Sequence, residues 1–155
     1  MARSKIILIV AVSLPIIVLA FFGVKAGGEY YYMKNNPPLS LNADYQHKID
    51  AEKDAYKASR LGMVFLKTDN LELAELAFEK STNLDANWRD GWIWKGYTEL
   101  EQGEPQKALD SLKTAEKIDP VYPFTYQLLA KTYELLGNTS AANAANQKMG
   151  YLTKQ

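Results

Sequence analysis

The chain has 155 residues and 17.4 kDa, with 47% apolar, 12% aromatic and 23% charged residues, enough for one compact domain or one small domain with an appendage. These proportions exclude a collagen-like, disulfide-scaffold or wholly disordered chain, and zero cysteines with one histidine remove thiol chemistry and Cys/His zinc sites. Lys+Arg and Asp+Glu balance at 18 each, but Arg3, Lys5 and Lys25 flank one apolar block, so residues 27–155 carry a net charge of −3 and lack the basic stripe that nucleic-acid binding requires.

The first predicted element is a transmembrane helix. Residues 6–24, IILIVAVSLPIIVLAFFGV, are 19 uncharged residues with Ser13 as the one polar side chain. As a helix they span about 28 Å, close to the hydrocarbon thickness of a bilayer, and Pro15 is tolerated as a kink. Phe21, Phe22, Lys25 and Tyr30 to Tyr32 read as an interfacial belt. A cleaved signal peptide is the competing reading, with Val24-Lys25-Ala26 as a loose cleavage site. The retained anchor, residues 1–26, is favoured because the apolar run exceeds the ordinary signal core of about 7 to 15 residues. Arg3, Lys5 and the amino terminus outweigh Lys25, which predicts a cytoplasmic N-terminus and an extracytoplasmic remainder, periplasmic or on the cell surface. Residues 27–42, with Gly27-Gly28 and Pro37-Pro38, read as a linker that cannot continue the membrane helix.

From Leu41 to the end the pattern is helical throughout, with no period-2 strand run of useful length and no hairpin signal. Breaks at Asp69-Asn70, Asp85 to Asn87, Gly103-Glu104-Pro105, Asp119-Pro120 and Gly137-Asn138 predict about six helices, the first continuous from Ala43 to Lys67. Connections this short force neighbouring helices antiparallel.

The chain repeats itself with a period of 34. Ala58-x2-Leu61-Gly62-x2-Phe65 with Ala74-x3-Phe78 returns as Trp92-x2-Lys95-Gly96-x2-Glu99 with Ala108-x3-Leu112 and Pro120, then as Tyr126-x2-Leu129-Ala130-x2-Tyr133 with Ala142-x3-Asn146. This pattern resembles the tetratricopeptide (TPR) repeat in period and in the placing of small and large residues. The resemblance covers residues 55–155 and implies an all-α fold: an α-solenoid of three helical hairpins, residues 55–88, 89–122 and 123–155, behind the predicted anchor. Tiny residues such as Gly62, Gly96 and Ala130 let backbones approach while Phe78, Leu112 and Tyr133 fill the gaps. Lys95 and Glu99 depart from the pattern, which wants Leu and Tyr there, and read as an exposed i,i+4 ion pair of small value. The last helix, 139–152, is polar enough to cap the stack itself.

No residue constellation supports catalysis. His47 lies in a polar helical stretch, and Glu72/Glu75 and Glu99/Glu101 lack a nucleophile or metal partner. No phosphate loop or hydrolase motif occurs, so an enzyme, a cofactor and a metal are not expected. The TPR resemblance instead implies a binding face on the first helix of each hairpin, at its second, fifth, ninth and twelfth positions. Carried over, these are Tyr56, Ser59, Met63 and Leu66; Asp90, Ile93, Tyr97 and Leu100; and Phe124, Gln127, Lys131 and Glu134. Such a row suits an apolar peptide or an amphipathic partner helix. Two readings stand together here: the row is a groove, or Ile93, Tyr97 and Leu100 are the buried face of their helix, with the long first helix folding over the rest. Trp92 reads as core, whereas Trp88 and Trp94 have no assigned packing partner and are candidate contacts. Ser59, Met63, Phe124 and Gln127 stand where the TPR subclass that grips chaperone C-termini needs Lys, Asn and Arg, which argues against that ligand.

The chain also resembles N-terminally anchored TPR proteins of bacterial envelopes. That implies a membrane-anchored scaffold for protein-protein interaction, as an assembly factor or accessory subunit of a membrane or envelope complex. An organelle outer-membrane receptor for targeting peptides, or a purely structural subunit of a larger assembly, are the alternatives.

Overall fold

A computed structural model describes residues 39–154, and the side chains from residue 43 onward. The predicted anchor, and the linker before Leu39, lie outside the described residues. Among those described, no helix is long and apolar enough to cross a membrane, and there is no strand. Seven helices follow one another: α1 (Leu39–Ala51), α2 (Ala55–Lys67), α3 (Leu71–Leu84), α4 (Arg89–Glu101), α5 (Pro105–Ile118), α6 (Pro123–Leu135) and α7 (Thr139–Leu152).

The expected single helix over Ala43–Lys67 is two helices. Glu52 Oε1 accepts from the backbone N–H groups of Lys53 (2.8 Å) and Asp54 (3.1 Å). Asp54 itself is extended, and its side chain accepts from Lys57 N at 2.9 Å, capping α2. Two acidic side chains thus satisfy the amides that a continuous helix would have bonded. α1 meets α2 through Tyr45 against Phe65 (centroids 5.3 Å) and α3 through Lys80 Nζ, which donates to Asp50 O (2.8 Å). The Tyr45 and Phe65 contact recurs two periods later as Lys113 over the Tyr133 ring at 6.0 Å. α1 therefore holds the place of a second helix, a half-repeat ahead of the first full copy.

From Asp44 on, the residues form one unit. Its main contacts pair α2 with α3, α4 with α5 and α6 with α7, so the predicted hairpins are present in sequence order. The first helices α2, α4 and α6 also touch each other, whereas the second helices stay apart, so the stack curves with its first helices inside. The small-to-large rule holds where the backbone approaches closely. A Cβ added to Gly62 would lie 2.7 Å from the Phe78 ring, and one on Gly96 would lie 2.7 Å from Leu112 Cγ. Ala58, Ala74, Phe78, Ala108 and Leu112 are fully buried.

The turns repeat as closely as the core. After α2, α4 and α6, the amides of Asn70, Glu104 and Asn138 bond back to the carbonyls of Phe65, Glu99 and Tyr133 at 2.8–2.9 Å, the hydrogen bond of a Schellman turn. That turn needs a left-handed residue, which Gly103 (φ 78°) and Gly137 (φ 74°) supply; the first copy uses Asp69 (φ 59°). Relief of Cβ strain predicts that Asp69→Gly stabilises the protein by about 0.5–1 kcal/mol, read as a higher urea midpoint. At the opposite edge, Trp92 Nε1 donates to Ala86 O (2.8 Å), and 34 residues on Tyr126 Oη donates to Pro120 O (2.7 Å). Ala86 thus replaces the expected proline without loss of this bond. The edge is tied further by Arg89, which pairs with Asp90 (2.7 Å) and Asp119 (2.6 Å) and stacks 3.9 Å over the Tyr122 ring. The bond from Arg89, seconded by the Val121 amide, holds the Asp119 carboxyl below the usual carboxylate range.

The Lys95–Glu99 pair differs from its expected exposed state. Its ions lie 3.2 Å apart, but Glu99 is 1% exposed, because it occupies an inward position that the repeat reserves for an aromatic ring. Glu99 Oε2 has no hydrogen-bond partner among the described residues.

Candidate functional site

The inner face is built by α2, α4 and α6, and each helix turns a different part of the expected row toward it. On α2, Tyr56 is 53% exposed, packs edge-on against Trp88 (6.2 Å) and accepts from Arg60 Nη1 at 3.2 Å. Met63 and Leu66 are half-buried, and Ser59 is buried. On α6, Phe124 is half-buried, whereas Gln127, Lys131 and Glu134 are exposed.

On α4 the expected row is corrected. Ile93 (1% exposed) and Leu100 (6%) belong to the core with Leu112, Leu128 and Leu129 and are not available to a partner. Being seven residues apart they share one helix face, and that face points at the neighbouring helices. One residue further round, Trp94, Tyr97 and Glu101 form the accessible row. Tyr97 is half-buried, as is Asp90, which is held by Arg89.

Trp94, lacking a partner in the sequence, has two in the fold. Its ring meets Tyr97 edge-on at 5.6 Å and Phe124 at 5.8 Å, which links α4 to α6. On the other side, Trp94 and Tyr97 join Met63, Leu66 and Leu71 around a cavity of about 240 Å³, rimmed by Lys67, Asp69 and Glu101. Lys131 Nζ reaches Glu101 at 3.3 Å, closing the rim between α4 and α6. Trp88 is half-buried against Tyr56 and fills the space above Gly91, so it supports the entrance to this face. Trp92 packs partly into the core, as expected.

The strip is therefore Met63, Trp94, Tyr97 and Phe124, with Tyr56 and Lys131 at its ends. The family spacing missed Trp94 by one residue. The sequence did hold a signal: the row through Trp94, Tyr97 and Glu101 falls, 34 residues earlier, on Arg60, Met63 and Lys67, a mixture of charge and large side chains typical of solvent-facing helix surface. Chemically the strip offers flat aromatic area and a few charges. His47 is exposed, and among the described residues no group of acidic or histidine side chains is placed to hold a metal.

Antiparallel hairpins repeated every 34 residues, stacked with their first helices inside, define an α-solenoid of helical-hairpin repeats. Residues 59–87 match the family described as tetratricopeptide repeat. That match falls within the first of the three hairpins. Among solved structures it is similar to MamA, at 20% identity over 79% of this chain and 72% of that one, with a TM-score of 0.66. A second, MamA MSR-1, is 21% identical over 79% of this chain and 71% of that one, with a TM-score of 0.63. At such identity the likeness is one of fold. No curated protein matches the chain.

Proposed function

We propose that this chain is a membrane-tethered, non-catalytic scaffold whose inner face holds a segment of a partner protein, as an assembly factor or accessory subunit of a membrane complex. One observation supports it most: half-buried Trp94, Tyr97 and Phe124 form a continuous aromatic strip across two first helices, beside a cavity bounded by a third. Large rings left half-covered at the centre of a curved surface are the anchors that protein interfaces use, and they suit an apolar peptide or the apolar face of a helix. The exposed charges of Lys67 and Lys131 at the rim favour register and encounter over raw affinity.

The Trp94→Ala, Tyr97→Ala double variant is expected to weaken capture of partner chains from native membranes at least tenfold, about 1.4 kcal/mol or more, while helical circular dichroism stays unchanged. Ile93→Ala serves as the contrast. It should destabilise the fold by about 2–4 kcal/mol and reduce capture only through unfolding. Equal capture by the double variant and the parent chain would remove the inner face as the binding site.

The tether is supported by the 19-residue apolar run and its basic start. Deleting residues 1–26 is expected to move the protein from the membrane to the aqueous fraction. Protease added to cells with an opened outer barrier and an intact inner membrane should digest residues 43–155 if they are extracytoplasmic and spare them if they are cytoplasmic, whereas protease added to intact organelles should digest a cytosol-facing receptor domain.

A further inference from the structure

We propose that a trough on the outer side of the stack, between α5 and α7, is a second docking site, for an amphipathic partner helix that presents a carboxylate to Lys148. The site goes beyond the inner-face reading and shares with it only the premise that the partners are proteins. On α6 the two surfaces are separate: Tyr126 and Tyr133 lie about 200° around the helix from Phe124 and Lys131.

The trough has a volume of about 400 Å³ and is open to solvent. Tyr126 and Tyr133 form its back, and Ala141, Ala144, Ala145 and Lys148 one wall. Spaced i, i+3, i+4 and i+7, these four share one face of α7, and three methyl groups in a row allow another helix to come close.

The occupant's charge follows from comparison with the same place one repeat earlier. There the chain fills the slot itself: Lys95 Nζ lies 5.7 Å from the centre of the Trp92 ring and 3.2 Å from the Glu99 carboxylate, giving a sequence of ring, ammonium and carboxylate. In the second slot the ring is Tyr126, and the ammonium over it, at 5.9 Å, comes from Lys148. The place of Glu99 is taken by Tyr133, and among the described residues Lys148 has no ion-pair partner. Lys113 and Glu116 also line the trough and neutralise each other at 2.7 Å, with Lys113 6.0 Å from the Tyr133 ring, so Lys148 is the cation left over. At the positions of Lys107 and Asp110 the second slot has Ala141 and Ala144, which removes the side chains that would occupy the space. One carboxylate and an apolar filling are what the second slot lacks relative to the first, and an amphipathic helix with an acidic residue beside a large apolar one supplies both.

The test places a benzophenone amino acid at Ala144 in the full chain within its native membranes, with a second carrier at Tyr97 reporting the inner face. The expected adduct at 144 is a partner segment of helical pattern with an acidic residue. Lys148→Glu should lower its yield about tenfold, and changing that acid to lysine should restore it. Adducts at 144 only with lipid, with a second copy of this chain or with a segment lacking an acid, or an adduct indifferent to Lys148→Glu, would overturn the proposal. Absence of any adduct at 144 overturns it as well: with adducts retained at 97 the inner-face reading survives, and with neither position reacting both readings fall.

Discussion

Replacing Phe78 with alanine is expected to destabilise the helical region by about 3–5 kcal/mol, seen as a large fall in the urea midpoint. The ring is fully buried where α3 crosses α2, and it sits over Gly62, the one inward position on α2 without a Cβ. Its removal opens a cavity between the two helices of the first hairpin, and the stack loses cohesion because each hairpin buries its apolar face only against its neighbours. The partner of this contact gives a sharper measurement. Gly62→Ala alone pushes a methyl to 2.7 Å from the ring and should cost about 1–3 kcal/mol, whereas in the Phe78→Ala background the same methyl has room and should cost nothing. Additive costs in that double-mutant cycle would mean that the two residues do not meet.

The second large effect concerns Lys95 and Glu99. Lys95→Leu alone leaves the Glu99 carboxylate buried without its cation, and the expected loss is about 2–3 kcal/mol, moderated because the lysine is partly exposed. Combining Lys95→Leu with Glu99→Tyr restores the apolar and aromatic pair found at Leu129 and Tyr133, and is expected to raise stability above that of the parent by about 1–2 kcal/mol. Unfolding of the three proteins in urea, followed by circular dichroism, gives both numbers. A single variant as stable as the parent would show that Glu99 does not depend on Lys95.

Much of this architecture could be read directly from the chain. The 34-residue period, the small residues Gly62 and Gly96 at close approaches, the large Phe78 and Leu112 as gap fillers, and the order of hairpins follow from local patterns, because helix period and side-chain volume are properties of the residues themselves. The inner face was also placed on the right helices. Tyr56, Met63, Tyr97 and Phe124 stand on it with Trp94, which the sequence also offers as a contact, while Ile93 and Leu100 follow the alternative reading, as the buried face of their helix.

Three features were decided only by the tertiary structure. The break at Glu52–Asp54 arose because two carboxylates cap the backbone there in preference to continued helix, a competition whose terms are nearly equal in sequence. The burial of Glu99 was invisible because an i,i+4 Lys–Glu pair reads as solvent-facing on an isolated helix, and only the neighbouring helices close over it. The rotation of α4, which hides Ile93 and displays Trp94, differs from the family spacing by one residue, or about 100° around the axis. Sequence determined the repeat, its helices and the sides on which they meet, since these depend on periodicity along one chain segment. Which residues within a row are covered was left to the packing, since that depends on side chains contributed by other helices.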